Sequence, residues 1–473
     1  MVMGEFTQEV DLLVIGAGPG GYAAAFRAAD LGLDVTMVDI APRPGGVCLH
    51  RGCIPSKTYL HLAELILDAR SAGAMGVHFK TPRIDLESLR TWKDKVVDQL
   101  AEGLVTLTAK RGVQYLQGRA EFEDDRHVRV KGRDALRIAF RSAIIAAGSH
   151  AAALTGTDFG RNGRIMSSTG ALHLADIPES LLVVGGGYVG LELGMVYAAL
   201  GSRITIVEAG DRLLPGVDKD LVAPLHKRLE GYFEAIWFKS HIKALDITDE
   251  GVSVEIEGQG APASLAAERV LVAIGRRPNS ESLGLEAAGV RLDERGFIQV
   301  DERQRTSVAN IYAIGDIVGG AMLAHKAMAE GKVAAEVIAG HASAFDVRAI
   351  PAVVYTDPQI AWAGMTETEA RQQGIDVAVE KFPWKFSGRA LTMGAPAGFT
   401  KMIVEAESHR VIGVGITGRG AENIIAEGVL AIEMGALAED VALSMHAHPT
   451  LSETEGETAE IFLGAATHIL PRK

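Results

Sequence analysis

Two stretches of this chain share one order of apolar and small residues. From Asp11 the sequence DLLVIGAGPGGYAAAFRAADLGLDVTMVDIA opens on an apolar run and turns through glycines. It then continues as an alanine-rich segment and closes on a second apolar run. From Leu181 the sequence LLVVGGGYVGLELGMVYAALGSRITIVEAGD repeats that order. Short apolar runs bounded by glycine read as buried strands, and the longer stretch between them reads as helix. Each copy therefore predicts strand, tight turn, helix and strand. The helices stop at Gly32 and Gly201, and the second strands end in Asp39 and Glu208. In both copies the first glycine precedes the helix-stopping glycine by sixteen positions and the acidic residue by twenty-three. Residues 181–201 are long enough to span a bilayer, but Glu192 and the glycines argue for a strand, a turn and a buried helix.

The glycines give the repeat a chemistry. Gly16, Gly18 and Gly21 form G-x-G-x-x-G, and Gly185, Gly187 and Gly190 occupy the same places in the second copy. The first glycine makes the turn, the second lets backbone amides approach a pyrophosphate, and the third allows the helix to pack closely on the strand. The helix start then offers unpaired N–H groups and a positive dipole end to phosphates. Asp39 and Glu208 stand where a carboxylate can accept from ribose hydroxyls. One such motif is also compatible with a structural turn; two with matched spacing imply two dinucleotides and electron transfer between them. Two further runs, RSAIIAAGSH (141–150) and NIYAIGDIVGG (310–320), predict strands leading into Gly148 and into Gly315 with Asp316. An acid so placed suits a polyhydroxyl chain such as ribitol, or an ordinary surface turn.

Composition narrows the class. A chain of 473 residues is expected to hold three or four domains, and 54 glycines with only 5% aromatics suit tight-turned α/β units. The start MVMGEFTQEVDLLVIGAG lacks a basic stretch followed by a long apolar run, so no signal peptide is expected and the protein is expected to be soluble and cytoplasmic. A net charge of −13 disfavours nucleic acid and anionic membrane, and leaves room for a basic protein partner. Both cysteines, Cys48 and Cys53, lie in GGVCLHRGCIPSK. They are either buried spectator thiols or a redox pair.

With these residues assembled, the chain resembles the pyridine nucleotide–disulfide oxidoreductases over essentially its whole length, most closely their dihydrolipoamide-oxidising branch. The carrying motifs are the two glycine fingerprints, GGVCLHRGCIPSK, IYAIGDIVGGAMLAHKAMAEG and HAHPTLSE. The resemblance implies an α/β fold of two Rossmann-like dinucleotide-binding domains plus a C-terminal α+β dimerisation domain. It implies an FAD domain over residues 1–148, an NAD domain over 149–276, a central segment over 277–347 and an interface domain over 348–473. The first fingerprint would hold FAD, with Asp39 on the adenosine ribose and Asp316 on the ribityl chain. Met322, Leu323, Ala324 and His325 would lie under the isoalloxazine and pyrophosphate, with Ala120 and Gly148 on the adenine side. Lys57 would sit near the flavin, paired with Glu192. LVAIGRRPN (271–279) reads as a strand returning through the NAD domain, with Gly275 near the cofactor.

The same resemblance makes Cys48–Cys53 a redox disulfide, Cys48 exchanging with the dithiol and Cys53 facing the flavin. One thiol must be accessible and the other must be a thiolate. Five residues is too long a step for a disulfide in a straight helix, so Gly52 and Pro55 are expected to distort it. His448 would be the acid–base group and Glu453 its orienting carboxylate, with His446 a structural neighbour and HAH short of a metal site for want of a third ligand. The implied partners are a second copy of the chain and the lipoyl and peripheral-subunit-binding domains of an acyltransferase core, or a lipoylated glycine-cleavage protein. A glutathione-reductase-like enzyme is the nearest alternative, and a flavin-bound regulatory subunit without turnover is another. NADPH enzymes of that kind place arginines after the second strand, where this chain has Glu208, Ala209 and Pro215, with Arg212 nearby. Tyr188 in GGGYVG points the other way: glutathione reductases carry a tyrosine there that covers the nicotinamide pocket.

Overall fold

In the computed structural model, which describes residues 7–132, 135–160 and 163–470, the strand Thr7–Ile15 organises the first half of the chain. It pairs in parallel with Val35–Asp39 on one side and Leu136–Ile145 on the other. Gln114–Phe122 extends the sheet beyond Val35–Asp39. His127–Gly132 pairs antiparallel with both Gln114–Phe122 and Leu136–Ile145, closing the sheet on itself. The distant strand Ile311–Ala313 adds to the free edge of Leu136–Ile145, so the segment that precedes Asp316 is built into this sheet.

The second sheet is parallel throughout, in the order 235–237, 203–207, 180–184, 269–272, 165–166. An antiparallel ribbon of three strands (240–247, 252–258, 264–267) is inserted between its strands 235–237 and 269–272. The two crossings between the sheets, Ser149–Ala151 and Arg276–Pro278, pair antiparallel with each other. The expected single strand over 271–279 is thus two strands in two sheets, broken where Gly275 takes φ +122°. The last sheet is antiparallel, in the order 352–354, 360–364, 411–417, 399–405, 377–383, with the helices Ala421–Met434 and Glu453–Leu463 packed on it.

The repeat holds down to single hydrogen bonds. Gly16 N and Gly185 N each donate to the end of the next strand, at Val38 O and Val207 O, both at 2.8 Å. Asp39 accepts from Ala17 N (2.7 Å) and Ala41 N (2.8 Å). Glu208 accepts from Gly186 N (2.5 Å) and Gly210 N (2.6 Å), the same relative positions. The helices Pro19–Asp30 and Tyr188–Leu200 begin after Gly18 and Gly187, and no side chain caps either first turn. The third glycines are required by contact: a Cβ on Gly21 would stand 1.8 Å from Gly16 O, and one on Gly190 2.3 Å from Gly185 O.

Gly21→Ala is therefore expected to force strand and helix apart, costing about 2 kcal/mol and lowering Tm by about 5 °C. Gly187→Ala, with φ −79° and open space at the Cβ position, should leave Tm of the nucleotide-free protein unchanged. Equal thermal shifts in the two variants would contradict this packing account.

Candidate active site

Cys48 and Cys53 sit on either side of a helix break. The short helix Gly46–Arg51 carries Cys48, and Cys53 is the first residue of the helix Cys53–Ser71. Gly52 between them adopts φ −144° and ψ −109°, outside the helical region. The break lies at Gly52 alone. Pro55 falls in the first turn of the second helix, where a missing N–H leaves no hydrogen bond unmade, so it continues the helix rather than distorting it. Cys48 is half-buried and Cys53 exposed, and both are free thiols.

The two thiols hydrogen-bond to each other, and the bond is asymmetric. The hydrogen bond from Cys48 lowers the Cys53 pKa to about 7, with Lys57 adding to the lowering. The same hydrogen bond and burial push Cys48 far up. One thiol thus carries the thiolate and the other the proton, the division a disulfide exchange needs.

One helical turn beyond Cys53, Lys57 Nζ lies 2.8 Å from Glu192 Oε2. Glu192 is 3% exposed. Its other oxygen accepts from Tyr355 N at 3.0 Å, and Lys57 Nζ stands 4.4 Å over the Tyr355 ring. Tyr355 is a residue the sequence reading missed, since no motif surrounds it. The first and second dinucleotide modules and the C-terminal part of the chain meet at this one carboxylate.

The residues expected around FAD line up along the first module. Gly18 and Gly46 close on one another, a Cβ on Gly46 standing 2.6 Å from Gly18 Cα. Ala120 is buried and pairs with Val130, three residues past the Asp39–Gln117 pairing. Gly148 takes φ +71° with open space where a Cβ would stand. Asp316 accepts from the Ser149 hydroxyl, and Arg276 donates to Ser149 Oγ at 2.6 Å. The turn before Asp316 is held by Glu330, which accepts from Gly315 N at 2.7 Å and pairs with Lys326. That i,i+4 pair in AHKAMAEG was legible but unread. Met322 and Leu323 precede the helix Ala324–Ile338, whose first turn again has no side-chain cap. His325 is tied elsewhere, its Nε2 2.7 Å from Pro351 O. Uncapped helix starts, glycine-only approaches and two carboxylates at strand ends fit a dinucleotide.

The second module opens into a cavity of about 530 Å³ lined by Gly185, Gly187, Tyr188, Glu208 and Gly275 among others. Its size, the uncapped start of Tyr188–Leu200 and the outward side of Glu208 fit a second dinucleotide. Tyr188 is the first residue of that helix and half-exposed on the cavity wall.

His448 and Glu453 are brought together. His448 Nδ1 lies 2.8 Å from Glu453 Oε1, and Thr450 N donates to Glu453 Oε2 at 2.7 Å. Burial pushes the Glu453 carboxyl up, but the Thr450 amide and His448 outweigh it and hold it below the usual range. The His448 side chain is 74% exposed. Among the described residues no hydrogen bond joins it to Cys48 or Cys53. His446 is engaged with Glu427 at 2.6 Å.

Residues 10–331 match the family pyridine nucleotide-disulphide oxidoreductase, and residues 350–459 match its dimerisation domain. The chain is 46% identical to the dihydrolipoyl dehydrogenase of Vibrio cholerae over 465 residues, covering 98% of this chain and 97% of that one. It is 46% identical to that of Geobacillus stearothermophilus over 473 residues, covering 100% of both. Among solved structures it is similar to LpdA from Mycobacterium tuberculosis, with a TM-score of 0.89 at 26% identity over 95% of this chain and 99% of that one. It is also similar to RclA from Escherichia coli, an HOCl-induced flavoprotein disulfide reductase, with a TM-score of 0.85 at 26% identity, 95% and 99% covered.

The unequal thiols give a measurable pH dependence. In the reduced protein, alkylation of Cys53 by iodoacetamide should rise with pH around a midpoint near 7, below the ordinary thiol value of about 8.5. Cys48→Ala removes the donor and should raise the midpoint by about one unit. Cys48→Ser keeps a donor and should leave it low. A wild-type midpoint near 8.5 would contradict the asymmetric pair.

Proposed function

The chain belongs to the pyridine nucleotide-disulphide oxidoreductase family, and on that premise we propose that it oxidises protein-bound dihydrolipoamide through Cys48 and Cys53, reducing NAD+ to NADH. It is an NAD-dependent flavoprotein oxidoreductase that works with FAD and NAD. The observation that carries the substrate-side reading is the thiol pair across the Gly52 break, with the thiolate at a helix start one turn from Lys57.

Each residue then has a task. A substrate thiolate attacks the Cys48 sulfur, forming a mixed disulfide and releasing Cys53 as thiolate. The substrate's second thiolate attacks its own sulfur in that mixed disulfide, closing the lipoamide ring and releasing Cys48. His448, oriented by Glu453, takes the proton of the first substrate thiol and releases it to solvent, then takes that of the second and passes it to the departing Cys48. Cys53, at the start of a 19-residue helix, keeps its negative charge beside Lys57. When bound, FAD supplies a two-electron carrier between the dithiol and the nicotinamide. Dihydrolipoamide and NAD+ give lipoamide, NADH and a proton, so atoms and electrons balance.

Asp39, Asp316 and the 322–325 segment are assigned to FAD, and Glu208, Gly275 and the second fingerprint to NAD. The division at 148, 276 and 347 is kept as part of this reading; the antiparallel pairing of the two crossings supports the first two boundaries. The protein works as a homodimer through its dimerisation domain, where Leu430, Met434, Leu443 and Met445 present exposed apolar side chains. The net charge of −13 favours docking on a basic peripheral-subunit-binding domain of an acyltransferase core, or service to a lipoylated glycine-cleavage protein. Among the described residues no helix is long and apolar enough to cross a membrane, and we place the reaction in the cytoplasm. Tyr188 on the cavity wall supports a glutathione-reductase-like alternative, but Glu208 at the ribose end repels a 2′-phosphate.

Lipoamide-dependent NADH oxidation tests the reading, with oxidised glutathione as the rival substrate. NAD(H) should be preferred over NADP(H) by at least about tenfold in kcat/KM, about 1.4 kcal/mol. Turnover with glutathione and NADPH but not with lipoamide and NADH would refute it.

A further inference from the structure

The loop that forms the outer wall of the second dinucleotide cavity is anchored outside its own domain. It runs from Glu208 to Asp218, and Ala209 and Pro215 line the cavity. At its near end Glu208 is fixed by two backbone amides of the second module. In its middle Leu214 N donates to Gly186 O at 3.0 Å, and Leu213, Leu214 and Val217 are buried. Leu214 takes φ +49°, a left-handed conformation that a branched side chain holds only where its surroundings over-determine it.

The far end is held from the C-terminal sheet. Lys401, on the strand Phe399–Glu405, is 0% exposed. Its Nζ lies 2.8 Å from Asp218 Oδ2, 3.1 Å from Asp220 Oδ2 and 2.9 Å from Glu367 Oε2. Asp218 also accepts from Glu367 N and Thr368 N at 3.0 and 3.2 Å, so a residue of the nucleotide domain caps a helix of the C-terminal domain. Lys381 pairs with Asp220 at 2.6 Å and Arg371 with Glu367. The helix Lys219–Leu229 is pressed on the same sheet: Thr417 Oγ1 donates to Leu221 O at 2.7 Å, and a Cβ on Gly415 would stand 2.6 Å from Leu221 Cδ1.

We propose that Lys401 is a positioning residue for the dinucleotide, holding the 209–218 loop in its binding conformation through Asp218. This rests on the reading that the second module takes NAD. The reasoning is one of charge. Three carboxylates converge within 3.1 Å of one buried ammonium; Lys381 and Arg371 each reach only one of them, so Lys401 is the cation that joins all three and offsets their repulsion at Asp218. Without it Asp218 and Asp220 repel, Asp218 keeps only its bonds to Glu367 N and Thr368, and the left-handed turn at Leu214 has a weakened far end. Lys401 touches neither the cavity nor the thiols, so its loss should act on nucleotide affinity and leave the dithiol half of the reaction alone.

The test uses the FAD-loaded dimer and NAD+ itself as the probe, by equilibrium dialysis. In Lys401→Met the Kd for NAD+ and the KM for NAD+ should both rise at least fivefold. The KM for lipoamide and the bound flavin should stay within twofold of wild type. Should Lys401→Met fail to yield folded dimer, Asp218→Asn decides instead: it keeps the lysine with two carboxylates and should raise the NAD+ Kd at least twofold. Unchanged NAD+ affinity in folded variants, or a fall in kcat and Tm alone, would overturn the proposal. Wild-type protein that binds no NAD+ would overturn the functional reading and this inference with it.

Discussion

The ion pair between Lys57 and Glu192 is the constraint around which the molecule is assembled. Glu192 lies on the helix of the second fingerprint, Lys57 on the helix that starts at Cys53, and Tyr355 N closes the carboxylate from the C-terminal part of the chain. A carboxylate at 3% exposure is tolerated only when its charge is paired and its lone pairs are met. Removing Lys57 would leave that buried carboxylate without its cation. That requirement fixes three segments distant in sequence at one point. The fixed point lies one helical turn from the Cys53 thiolate and along the same helix as Tyr188. The helix that starts at Cys53 and the helix of the second fingerprint are therefore tied by a charge pair, not by any flexible loop.

Much of this was legible because the repeat is written in backbone requirements. A glycine whose Cβ would strike Gly16 O or Gly185 O has no substitute, and an acid at a strand end meets the same two amides in both modules. Such positions survive as motifs. The helix break at Gly52 was readable too, though Pro55 was credited with a share it lacks. A proline in a first turn costs nothing there. The strand over 271–279 was misread as one piece because its apolar pattern does not show that Gly275 passes the chain from one sheet to another.

What stayed hidden was tertiary pairing. Tyr355 acts through a backbone N–H that any residue but proline carries, so nothing in its identity marks it. Lys401 sits inside an apolar strand, FTKMIVE, where a lone lysine reads as an interruption; only the fold brings Asp218, Asp220 and Glu367 to it. Ser149 and Arg276, which brace Asp316, lie in linkers whose pairing is not periodic. His448 is legible from its motif, and in the single chain it is exposed and, among the described residues, makes no hydrogen bond to either thiol.

The exposed His448 motivates the central proposal: we propose that each chain carries the thiols and the two dinucleotide modules, and that the base comes from a second copy. A C2 dimer places the same face of each chain against the other, so each His448 can serve the partner's thiols. A mixed dimer of one Cys48→Ser chain and one His448→Ala chain measures this directly. Each parent homodimer should be nearly inactive in lipoamide turnover. If the site is shared, the intact Cys48 of one chain meets the intact His448 of the other, and the isolated mixed dimer should show about half the wild-type activity, one site of two. Verified mixed dimers with no restored turnover would show that each chain folds its own histidine home, and would contradict the account.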